Sequence, residues 1–125
     1  MCFCAVINAF GQSTTIASIN EAFKAGSAKE LAKYLHQTVD LTIEEKTGEE
    51  KSGNYSKAQA ELVLRDFFKA HTPSEFTIIH QGASKGGQPF AIGKYTSGSD
   101  SYRIWMQLKV VNKEQLIQEM KFVKE

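Results

Sequence analysis

His80 is the side chain in this sequence best suited to moving a proton near neutral pH, and it lies in the run Ile78-Ile79-His80-Gln81-Gly82. As a general base it would need a carboxylate or a nucleophile within hydrogen-bond reach. Asp40 and Glu119 are the candidate carboxylates, but spacing assigns neither to it. The competing reading, preferred here, is a structural histidine bridging sheet and helix. Tyr34, Tyr102 and Met106 are the residues expected to line a pocket with His80, the two hydroxyls facing a small hydrophobic ligand; plain core packing is the alternative for them. His36 and His71 fall near the ends of helical stretches, where a cation complements the helix dipole. Three scattered histidines offer no metal spacing, and no cofactor is expected. Gly82-Ala83-Ser84-Lys85-Gly86-Gly87 looks superficially like a phosphate loop. Gln88-Pro89 and a strand-like run follow it, where a P-loop requires Lys-Ser/Thr and a helix, so it reads as a turn. Glu44-Glu45-Lys46 and Glu49-Glu50-Lys51 lack the alternating Asp/Asn spacing of a calcium loop.

Any site must be built on elements that 125 residues can form, and that length fits one domain. Such a chain buries roughly two-thirds of the surface its unfolded form exposes, without disulfide or metal staples. The net charge is +1, from 15 basic and 14 acidic residues mixed along the chain. That balance supplies no attraction to polyanions and argues against nucleic-acid binding. No apolar run approaches the roughly 20 residues of a membrane-spanning helix.

Residues 1–12 differ from the rest: they carry no charge, and Cys2–Ile7 is continuously apolar. Ala9 and Gly11 stand at the −3 and −1 positions of a signal-peptidase site. The segment therefore reads as the remnant of a secretory signal, with residues 13–125 as the mature domain, exported to the periplasm. The alternative is a short buried N-terminal element in a cytoplasmic protein. Cleavage after Gly11 would remove Cys2 and Cys4, leaving no disulfide framework.

Periodicity gives the elements. Ile16, Ile19, Ala22 and Phe23 recur at helical spacing over Thr15–Ala25, and Gly26 suits the left-handed residue that ends a helix. Ser27-Ala28-Lys29-Glu30 is a capping-box pattern opening a second helix with Leu31, Tyr34 and Leu35 on its buried face. Val39, Leu41 and Ile43 then alternate with Asp40, Thr42 and Glu44 as in a half-buried strand, followed by a charged hairpin tip around Thr47-Gly48. Ser56-Lys57-Ala58-Gln59 caps a third helix bearing Ala60, Val63, Leu64, Phe67 and Phe68, and Thr72-Pro73 ends it. Four strand-like runs follow, Phe76–Ser84, Phe90–Thr96, Tyr102–Val111 and Gln115–Val123, joined by short turns that predict an antiparallel meander. The fold class is α+β, three helices packed on a curved antiparallel sheet in the order α-α-β-β-α-β-β-β-β.

In the run Tyr102–Val110, Tyr102, Ile104, Met106, Leu108 and Val110 should face the helices, while Arg103, Trp105, Gln107 and Lys109 face outward. Trp105, with Arg103 and Tyr95, is the expected face of a sheet-to-sheet homodimer.

The element order, with Phe23-Lys24-Ala25-Gly26 closing one helix and Ser27-Ala28-Lys29-Glu30-Leu31 opening the next, resembles the nuclear-transport-factor-2-like superfamily. Ala28–Leu35, Tyr55–Phe68, Ile78–Gly82, Ala91–Gly93 and Leu116–Glu125 are most similar to a group of small exported Gram-negative bacterial proteins to which no function is attached. Ketosteroid isomerases of the superfamily use a tyrosine and two carboxyl groups in a cone-shaped cavity. The resemblance places those positions near Ile19, Ile43 and Met106, all apolar here, so that mechanism is not expected. The expected function is a non-catalytic small-ligand-binding or assembly module. The alternative is a cyclase-, isomerase- or dehydratase-type enzyme using a cone pocket around His80.

Overall fold

The computed structural model describes residues 11–44, 47–83 and 86–125, with side chains from Thr15 onward. The segment 1–10, which contains both cysteines and most of the expected signal remnant, lies outside the described residues. Among the described residues the chain forms α1 (Gly11–Ala25), α2 (Ala28–Ala32), β1 (Leu35–Glu44), β2 (Glu50–Ser56), α3 (Lys57–Ala70), β3 (Glu75–Ala83), β4 (Pro89–Ser97), β5 (Asp100–Val111) and β6 (Glu114–Lys124).

The local signals act as the sequence dictates. Gly26 has φ +65° and closes α1, its N–H bonded to the Phe23 carbonyl. A Cβ here would also press to 3.0 Å on the ring of Pro73, so the joint between α1 and α2 needs a residue without one. The Ser27 side chain accepts from the Glu30 N–H at 3.1 Å. At α3 the capping box is complete: Ser56 Oγ accepts from Gln59 N–H, and the Gln59 side chain accepts from Ser56 N–H.

Helix α2 stops earlier than expected. The Tyr34 carbonyl accepts from Ile117 N–H at 2.7 Å, and Leu35 is already the first residue of β1. A bond to the sheet thus replaces another helical turn.

The six strands form one sheet in the order β2-β1-β6-β5-β4-β3. Strands β3 to β6 make the expected antiparallel meander, and β1 pairs antiparallel with β2. The sheet is mixed rather than purely antiparallel, because β1 lies parallel to β6 with Leu41 beside Met120 and Ile43 beside Phe122. This pairing joins the first hairpin to the meander; the chain between the two parallel strands runs through β2, α3 and β3–β5, and α3 carries it from the β2 edge of the sheet to the β3 edge.

The curved inner face and the helices enclose the core. Phe67 is its hub, with ring centroids 4.7 Å from Phe122, 5.2 Å from Tyr102 and 5.4 Å from Tyr95. Phe23 stacks on Phe76 at 4.5 Å with an 18° interplanar angle. Edge-to-face and offset pairs of this kind contribute about 0.5–1.5 kcal/mol each beyond the area they bury. Aromatic rings fill the middle of the cone.

Candidate functional site

The four residues expected around a pocket do not meet. Tyr102 and Met106 are buried in the core, 1% and 2% exposed. Tyr34 is half-buried against the core where α2 meets β1. His80 is exposed and lies on the other side of the sheet. Simple alternation would put it with Phe76 and Ile78 on the inner face. The register instead shifts between Ile78 and His80, so Ile78 pairs with inward Gly93 while His80 pairs with Ile92. One extra residue in a strand reverses which face its successors occupy. The His80 ring packs 5.5 Å from that of Phe90, a neighbour that neither activates nor orients a base. Ile19, Ile43 and Met106, the positions where the isomerase mechanism would need polar groups, are 0%, 5% and 2% exposed and belong to the apolar core.

Sequence reasoning missed a polar link inside the aromatic core. The Tyr95 hydroxyl donates to the carbonyl of His71, the residue that caps α3. The Tyr102 hydroxyl lies 3.4 Å from His71 Nε2. Burial, and then the neighbouring Tyr102 phenol, raise the Tyr95 pKa above its ordinary value, so the phenol stays protonated and keeps donating. Tyr95 is therefore not on the outer face with Trp105. Its cross-strand partner is inward Tyr102, and cross-strand partners share a face. The alternation Ala91, Gly93, Tyr95 could have shown this. His71 also lines a rim hollow of about 370 Å³ with Lys51, Tyr55 and Asp66. The cluster ties the end of α3 to β4 and β5.

The outer face is different. Trp105, on β5 near the middle of the sheet, is 47% exposed. Its row runs through Ile92 on β4 and Lys121 on β6. The rows on either side place Phe90, Gln107 and Glu119 in one direction, and Lys94, Arg103 and Val123 in the other. Ile92, Phe90 and Val123 are half-buried. Together with Trp105 they form an apolar band along one diagonal, with Glu119 and Lys94 at the ends of the other and Arg103 and Lys121 beside it. A shallow depression of about 590 Å³ runs along it, lined by Phe90, Trp105, Gln107, Glu119, Lys121 and Val123 among others. Arg103 forms an ion pair with Glu125 at 3.1 Å, and Gln107 donates to Gln88 at 2.8 Å.

Among the described residues no three His, Cys, Asp or Glu side chains converge on a metal-sized site, and no helix is long and apolar enough to cross a membrane.

The DUF4783 family, described as a domain of unknown function, matches residues 16–122, which span all nine elements apart from the first turn of α1 and the end of β6. The chain belongs to the DUF4783 family. A DUF4783 protein from Bacteroides ovatus shares 31% identity with it, over 87% of this chain and 94% of that one, at a TM-score of 0.78. One from Bacteroides fragilis shares 29%, over 86% and 96%, at a TM-score of 0.77. An NTF2-like protein of unknown function from Shewanella baltica shares the fold at 10% identity and a TM-score of 0.72, over 96% of this chain and 95% of that one. No curated protein matches the chain. The fold of this DUF4783 domain is thus NTF2-like, as the α1–α2 joint implied, and the family carries no activity to transfer.

Proposed function

We propose that this DUF4783 domain is a non-catalytic assembly module that pairs with a second copy of itself through the outer face of its sheet. The apolar centre around half-exposed Trp105 carries the reading. A surface meant for water has little reason to place a tryptophan among Ile92, Phe90 and Val123, and aromatic anchors dominate the energetics of interfaces.

The diagonal of the pattern also admits a twofold axis, as pairing of two copies requires. For two sheets packed face to face the axis lies between them. An axis through Trp105 along the diagonal from Phe90 to Val123 sets each of these apolar residues against its own copy. The same rotation brings Glu119 of each protomer towards Lys94 of the other; it also sets Ile92 against Gln107 and Lys121 against Arg103, a like-charge contact that the Arg103–Glu125 ion pair offsets in part. Size is compatible as well. Six strands about 4.8 Å apart and around ten residues long make a face of roughly 800 Å², the area a standard interface takes from each partner. The packed aromatic core supports the non-catalytic half of the reading, because it leaves the cone's centre to side chains. Export is part of the same proposal and rests on the uncharged, apolar start of the chain with Ala9 and Gly11 at the cleavage positions.

Sedimentation equilibrium checks the pairing. The full chain is expected to give a dimer mass, and Trp105→Glu, which buries a carboxylate on each side, should raise the dissociation constant at least about 30-fold, roughly 2 kcal/mol. A wild-type chain that stays monomeric at high micromolar concentration contradicts the proposal.

A further inference from the structure

At the end of the sheet away from the α1–α2 joint, two residues on the inner face break the rules of burial together. Gln115 on β6 is 5% exposed, and among the described residues neither its amide nitrogen nor its amide oxygen has a hydrogen-bond partner. Its cross-strand partner Val110 is 54% exposed. Val110 keeps the inward face that alternation assigns it, but nothing in the described residues covers it. A buried carboxamide without partners costs on the order of 1–3 kcal/mol for each group left unsatisfied. Here it sits beside an apolar side chain left wet.

Both residues line one cleft of about 350 Å³, with Ile16 of α1, Gln81 of β3, and Pro89 and Phe90 of β4. The described residues lining it carry no charge. A second hollow of about 280 Å³ continues it along α1, sharing Ile16 and Gln81, and there Asn20 Oδ1 is also buried with no partner among the described residues. The volume lies at the lower end of the range for small-molecule pockets, roughly 300–1,000 Å³, and apolar walls with few polar groups are their usual lining. The site lies apart from the filled centre of the cone and touches the Trp105 face only at Phe90.

The geometry points to a binding site for a small neutral cis-amide, such as a lactam or a primary carboxamide with an apolar body; the Gln115 amide, closed to solvent in the free chain, would turn into the cleft and pair with it edge to edge. A primary amide presents a donor and an acceptor side by side in one plane, and its complement presents an acceptor and a donor in the same way. Lactams and primary carboxamides do so. Open-chain secondary amides in the trans form carry N–H and C=O on opposite edges and cannot close both bonds. With no cation among the described residues of the cleft, a carboxylate would find no charge partner there, which disfavours anionic ligands. The apolar body of the ligand would cover Val110.

The test compares ε-caprolactam with ε-caprolactone, which has the same ring but no N–H, titrated into the isotope-labelled full chain. Saturable shifts are expected at the Gln115 side-chain NH₂ and the Val110 methyls, with the lactone at least about tenfold weaker. Gln115→Leu should erase that difference and raise Tm by about 4 °C or more, because it removes two unpaired buried polar atoms. Equal binding of lactam and lactone, no shift at Gln115, or a lowered Tm in Gln115→Leu would each overturn the proposal. The lactam–lactone comparison needs no variant, and neither arm depends on whether the outer face dimerises.

Discussion

Phe67→Ala is expected to lower stability by about 3–5 kcal/mol. Phe67 is 6% exposed, and its ring lies within 6.0 Å, centroid to centroid, of those of Phe68, His71, Tyr95, Tyr102 and Phe122. Truncation removes the transfer energy of the ring and the geometry of several aromatic pairs at once. The walls cannot close over the gap, since Tyr95 is pinned by its bond to the His71 carbonyl and Phe122 sits in a central strand. Small domains have about 5–15 kcal/mol in total, so a third or more of the stability should go. In urea, with a slope near 2 kcal/mol/M, the midpoint should fall by about 2 M at unchanged slope. Phe67 also lines the rim hollow beside His71, and a loss below about 1 kcal/mol would mean that the ring belongs to that hollow rather than to the core, which would contradict the filled-cone account.

Gly93→Ala is expected to cost about 3 kcal/mol, the top of the usual range for overpacking. Gly93 is buried on β4, and a Cβ there would stand 2.3 Å from Phe76 Cζ and 2.5 Å from Cε1. Phe76 cannot swing aside, because its other side is stacked on Phe23. The clash must move either the β3–β4 pairing or the α1 packing. Thermal unfolding by circular dichroism reads this directly. A variant within about 0.5 kcal/mol of the parent would show that Phe76 repacks freely and that the α1–β3 side of the core is loose.

The two residues behind these predictions differ in how far the sequence revealed them. Phe67 lies on the apolar stripe Ala60, Val63, Leu64, Phe67 and Phe68, so helical period alone marked it as core. Nothing marked Gly93 as the floor under Phe76, because that contact joins two strands through a register that periodicity does not specify. The same division runs through the site. Alternation in β5 correctly turned Trp105 and Arg103 outward and Tyr102 and Met106 inward. It could not anticipate the extra residue at Ile79 that reverses His80, since a bulge is a property of two paired strands rather than of one. Val110 faces inward as alternation assigns it, yet it is exposed in the cleft it shares with Ile16 of α1. Tyr95 was legible from its neighbours Ala91 and Gly93 once cross-strand pairing was considered. The parallel β1–β6 contact was not legible, because short turns specify neighbours only for the strands they join.

The dimer through the outer sheet face is the central claim, and the chain contains its own reporter, since Trp105 is the only tryptophan among the 125 residues. Intrinsic fluorescence should be measured across a dilution series from high micromolar to nanomolar protein, with circular dichroism to confirm that the fold persists. If Trp105 lies at the centre of the interface, its emission should be blue-shifted at high concentration and move red on dilution, along the same curve as the loss of dimer mass. Emission that is red-shifted and constant at every concentration, or a dimer whose dissociation leaves the spectrum unchanged, would contradict the account.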